Sequence, residues 1–147
     1  MINESIGTIP MPSISRVAAA ALVKAAIGVA QTTGATVAVA VTDGSGHLVA
    51  FERMDAARFL AVEVAVDKAW TAASSGFATH QWNELLTHEP KVAPLGTRPR
   101  LVGVGGGYPV IANGQIIGAV GVSGGSSLQD QTVAVEALKS MGLTVQA

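Results

Sequence analysis

The stretch Arg100–Asp130, RLVGVGGGYPVIANGQIIGAVGVSGGSSLQD, decides the fold. It reads as strand, glycine loop, strand, tight turn, strand, second glycine loop and helix start. Asn113-Gly114 between two apolar runs is the strongest short hairpin signal, a type I′ turn with positive φ at both central residues. It places strands over Pro109–Ala112 and Gln115–Ser123. In the second of these, Ile117, Ala119, Gly121 and Ser123 share one face, and Ile116, Gly118, Val120 and Val122 the other. Glycines flank the hairpin: Gly105, Gly106 and Gly107 before it, Gly124 and Gly125 after it. Segments without side chains let backbone N–H groups approach a ligand or another backbone closely.

Outward from the hairpin, Leu101–Val104 reads as a further strand, stopped by the glycines. Ser127 with Asp130 three residues on resembles a capping box for a last helix, Leu128–Met141. Upstream, Thr87–Arg100 carries three prolines and reads as an irregular loop. Thr79 caps a short helix, His80–Leu86. A longer helix, Ala56–Ser75, follows Asp55 as N-cap, with Phe59, Val62, Val66, Ala69, Trp70 and Ala73 as its apolar stripe. Earlier still, Ala35–Thr42 and His47–Met54 form a hairpin around the turn Asp43–Gly46. The first helix runs Ile14–Gln31, capped by Ser13 or Ser15 and ended by Gly34. Met1–Pro12 is an extended N-terminal arm, and residues 13–147 are one domain. Two hairpins separated by helices predict an α/β fold, a five-stranded antiparallel sheet with helices packed on it.

Composition narrows the function. The chain of 147 residues has a net charge of −1 with both signs scattered, so nothing marks a nucleic-acid groove or a polybasic membrane patch. It has no cysteine, which excludes disulfides and thiolate chemistry. Only 13% of residues are charged, against about 25% in a typical domain. Apolar surface must then stay exposed, which points to a homo-oligomer. No secretory signal precedes the first helix, and the apolar run Val17–Ala30 is broken by Lys24 and too short to span a bilayer. A cytoplasmic protein is expected.

Several residues carry candidate chemistry. Arg53, at a strand end, offers a guanidinium fork that matches a carboxylate, with Asp55 to orient it; the bland alternative is a surface ion pair beside a helix cap. Lys68 lies next to the apolar stripe, either snorkelling to solvent or drawn inward as a second cation or proton carrier. The Gly105–Gly107 loop is either a tight turn or an anion nest, with Tyr108 as a ring wall or hydroxyl donor. Ser123 and Gly124 lead into a helix N-terminus, which also favours anions. This is no dinucleotide fingerprint, since the glycines precede a strand. His47, His80 and His88 show no metal-binding spacing, so no metal site is expected. His80 is the best single histidine, as an acid/base or as an axial haem ligand.

The chain resembles the GlcG/HbpS family, also called the haem-degrading family, and is similar to the C-terminal domain of PduO-type cobalamin adenosyltransferases. The resemblance rests on Val41-Thr42-Asp43 with Gly46, His47 and Leu48; on Phe51, Arg53, Met54, Asp55 and Ala56; and on Lys68-Ala69-Trp70-Thr71-Ala72. Its most specific part is Gly105–Val110, Gly114, Ile117–Gly124 and Gln129-Asp130. It implies a profilin-like sandwich and a homo-oligomer. Members are linked to haem binding, to corrinoid or diol-utilisation gene neighbourhoods, to glycolate utilisation and to cofactor-free lyase chemistry on hydroxylaminobenzoates. Two expectations follow. The first is a cofactor-independent, lyase-type enzyme for a small carboxylate, held by Arg53, Asp55 and the glycine segments, with Lys68, His80 or Tyr108 moving protons. The second is a haem- or corrinoid-binding accessory protein without catalysis.

Overall fold

Asn113 and Gly114 have φ values of 51° and 74°, as the type I′ turn requires. The computed structural model describes residues 6–146. In chain order it contains α1 (Arg16–Thr33), β1 (Ala38–Asp43), β2 (Leu48–Arg53), α2 (Leu60–Ser75), α3 (Thr79–His88), a 3₁₀ turn (Ala93–Thr97), β3 (Gly107–Ala112), β4 (Gln115–Ser123) and α4 (Ser127–Ser140). The strands form one antiparallel sheet in the order β2-β1-β4-β3. β1 is therefore central, and it is buried along nearly its whole length.

The two faces of the sheet bury different residues. On one, Val39, Val41, Val120 and Val122 meet Leu22 and Val23 of α1 and Val133 and Leu138 of α4. On the other, Ala38, Ala40 and Ala119 meet Ala61, Ala65, Ala69 and Ala72 of α2. At Gly121 the backbones touch: a Cβ there would overlap the Ala65 carbonyl oxygen and lie 2.6 Å from the Ala69 nitrogen.

The sheet has four strands, not the five expected. Leu101–Val104 pairs with no strand because side chains of the helices take its backbone groups. Val102 N–H donates to Thr71 Oγ1 at 3.0 Å, and Asn83 Nδ2 donates to the Gly103 carbonyl at 2.7 Å. α2 starts at Leu60, not at Ala56, and Asp55 does not cap it. Residues 55–57 instead turn, with Ala57 N–H on the Met54 carbonyl and Arg53 Nη1 on the Ala57 carbonyl. α4 is capped one residue earlier than expected. Ser126 Oγ accepts from Gln129 N–H, and Gln129 Oε1 accepts from Ser126 N–H. Thr79 belongs to α3 rather than capping it, and its hydroxyl accepts from Gly107 N–H at 2.8 Å. Of the expected N-terminal arm, Met1–Ser5 lie outside the described residues, and residues 6–12 are exposed without strand or helix. Among the described residues no helix is long and apolar enough to cross a membrane.

Candidate functional site

Lys68 is drawn inward. It sits on the α2 face that meets β4, Gly107 packs directly on its backbone carbonyl, and the residue is 1% exposed. Its Nζ donates to the Val122 carbonyl at 2.9 Å and to Asp130 Oδ2 at 3.1 Å. Asp130, on α4, is 2% exposed, and its Oδ1 accepts from Gly125 N–H at 3.0 Å. α2 and α4 lie on opposite faces of the sheet, so this pair closes the end of β3 and β4 where the two helices can meet. Gly106 covers it. With φ of 130°, a Cβ there would stand 2.9 Å from Nζ, so only glycine lets the loop lie against the ammonium. Burial pushes the Lys68 ammonium below its ordinary pKa and the Asp130 carboxyl above its own, and each partner's charge pulls back only in part.

A cleft of about 290 Å³ opens over this pair, lined by Arg58, Leu60, Val64, Lys68, Ser123 and Gly125 among others. A second, of about 320 Å³, lies beside it, with His80, Asn83, Glu84, Gly105 and Gln131. Val104 and Ser127 border both. A larger cleft, about 450 Å³, lies at the other end of the sheet between residues 10–13 and Asp43–His47, but it holds no buried charge. Chemistry rather than size favours the Lys68 end.

The sequence candidates fall into three groups. Lys68, Ser123 and Gly124 line the first cleft, and His80 and Gly105 the second. Gly106 and Gly107 stand behind them, and their N–H groups differ. Gly107 N–H is held by Thr79, while those of Gly105 and Gly106 have no partner among the described residues. Gly125 N–H is committed to Asp130. Arg53, Asp55 and Tyr108 line neither cleft. Arg53 and Asp55 are exposed and form no ion pair with each other; Arg53 fastens the turn that brings in Arg58. Tyr108 is 4% exposed within the valine-face core, with its ring 5.7 Å from that of His80, and burial pushes its hydroxyl up.

His80 is the one histidine on these clefts. Its Nδ1 is buried and has no hydrogen-bond partner. A proton there would be an unsatisfied buried donor at a cost of about 1–3 kcal/mol. A ring with one proton therefore carries it on Nε2. Metal-bound histidines ordinarily donate the other ring N–H to an acceptor, and none is present. His80 does not fit as an axial haem ligand through Nε2. Among the described residues there is also no cluster of three metal-ligating side chains.

Residues that sequence reasoning passed over complete the site: Asp130, Arg58, Asn83 and Gln131. One signal was available for Asp130. Ser126 and Gln129 make the better capping box, which frees Asp130 from the capping role that the sequence gave it.

The model of the family described as "Haem degrading protein HbpS-like" matches residues 14–139. The chain belongs to the HbpS-like family. Protein GlcG of Escherichia coli K12 is 39% identical over 110 residues, 75% of this chain and 81% of that protein. The corrinoid adenosyltransferase PduO of Salmonella typhimurium is 34% identical over 126 residues, 83% of this chain but 37% of PduO. A crystal structure of a PduOC–haem complex superimposes with a TM-score of 0.82 at 29% identity, covering 92% of this chain and 99% of that one.

Proposed function

We propose that this HbpS-like chain is a cofactor-independent, lyase-type enzyme that binds a small carboxylate in the cleft over Lys68 and Asp130. The observation that carries the reading is the buried Lys68–Asp130 pair at the floor of an open cleft. Burial drives both groups toward their uncharged forms, which poises the pair to exchange a proton with a bound molecule. Arg58, on the cleft wall, supplies the fork for the carboxylate that sequence reasoning gave to Arg53. The apolar Leu60, Val64 and Val104 suit the ligand's body. Phe59, Leu60 and Leu128 are 87%, 68% and 72% exposed, which supports a homo-oligomer that covers them.

The second reading, haem or corrinoid binding without catalysis, is favoured by the haem complex of the PduOC relative and the corrinoid activity named for PduO. The poor fit of His80 as an axial ligand places it second. One paired experiment separates the two. Thermal shift with benzoate should stabilise the wild type and not the Arg58→Ala variant, while a haemin titration gives weak, unsaturable absorbance changes equal in wild type and His80→Ala. A saturable one-per-chain Soret shift, lost in His80→Ala, would instead establish the second reading.

A further inference from the structure

We infer that a second copy of this chain docks on the sheet face over β2, so that the two α2 helices lie side by side in one layer between two sheets, with Arg53 of each copy against Glu63 of the other. The inference rests on the homo-oligomer proposed above, names the surface through which it forms, and is independent of the ligand reading.

The α2 face of the sheet is half covered. Four strands at about 4.8 Å spacing make a sheet about 19 Å wide, and a helix with its side chains is about 10 Å across. Two helices fill that width on the valine face, where α1 packs on β1 and β2, and α4 on β4 and β3. On the alanine face α2 packs on β4, β1 and β3, and among the described residues no helix covers β2. Ala38 and Ala40 of β1 face α2, and Thr42 follows by alternation. Their cross-strand partners Arg53, Phe51 and Leu48 therefore point the same way, and all three are exposed.

The helix that fits this strip is α2 of another copy. Lys68 and Thr71 stand on the flank of α2 that faces β3 and residues 100–102. The opposite flank, toward β2, carries Phe59, Val62 and Val66, with Phe59 wholly unpacked. At about 100° per residue, Glu63 falls on the ridge turned away from the sheet, since Ala61, Ala65 and Ala69 face it. A partner related by a two-fold axis would lay that ridge on β2 and set the two apolar flanks against each other. The charges agree with this. Among the described residues Glu63 has no cation and Arg53 no carboxylate within ion-pair distance. A two-fold interface must be self-complementary. A patch that presents one unpaired cation and one unpaired anion satisfies both, once in each direction.

Sedimentation velocity of the purified chain over a range of concentrations tests the assignment, with far-UV circular dichroism as the check on folding. The wild type should sediment as a dimer or an even multiple of one. Phe59→Glu places two carboxylates face to face, and Glu63→Arg or Arg53→Glu opposes like charges. Each should weaken self-association by about tenfold or more while the fold is kept. The double variant Arg53→Glu/Glu63→Arg should recover it. A monomeric wild type overturns the inference together with the homo-oligomer. An assembly that survives Phe59→Glu and Glu63→Arg unchanged overturns this face as the contact and leaves the homo-oligomer standing. A double variant no better associated than the single ones overturns the Arg53–Glu63 contact and, with it, the two-fold arrangement.

Discussion

The two faces of the sheet are built on opposite plans. The face under α1 and α4 is a conventional core, with valines interleaving with Leu22, Val133 and Leu138. The face under α2 is alanine on alanine, and at Gly121 the helix backbone rests on the strand itself. A valine core tolerates some repacking, because side chains can shift. Backbone against backbone has nothing to shift. Closeness on the alanine face is also what buries Lys68, since a helix held a side chain's width further out would leave it wet. The chemistry of the site thus follows from small residues.

The sharpest way to break this contrast is Gly121→Val. Its Cβ would overlap the Ala65 carbonyl oxygen. We expect loss of the cooperative thermal transition, against a cost of about 2–5 kcal/mol for Leu22→Ala on the other face. A folded Gly121→Val protein of near-native melting temperature would show that α2 is not seated as described.

Next in size is the Lys68–Asp130 pair. Asp130→Ala leaves a buried ammonium without its counter-charge and should destabilise by about 3–5 kcal/mol in denaturant titration. The double variant Lys68→Met/Asp130→Leu removes both charges and should recover most of that loss. A double variant as unstable as the single one would mean that the pair is not a closed unit.

Much of this was legible in the sequence. Asn113-Gly114 located the β3–β4 hairpin, and the alternation in Gln115–Ser123 put Ala119, Gly121 and Ser123 on one face. Four strands and four helices stand where periodicity and turn residues placed them, with shifted ends. Leu101–Val104 was misread because its apolar run looks like a strand, while its backbone partners are Thr71 and Asn83, on helices no local pattern connects to it. The site was half legible. Lys68, His80, Ser123 and the glycine segments were singled out. The partner of Lys68 was missed because the pair spans 62 residues and two helices on opposite faces. Arg58 was not singled out because the pattern places it inside a helix from Ala56, whereas it stands in the turn before Leu60, on the cleft.

The proposed ligand site lies at the Lys68 end of the sheet. Amide chemical-shift mapping by NMR during a benzoate titration tests it directly. We expect the largest saturable shifts at Val104, Gly105, Gly106, Gly124 and Ser127, and their disappearance in Arg58→Ala. Shifts concentrated instead at Asp43–His47 and Gln115, around the larger cleft at the opposite end, would contradict the account.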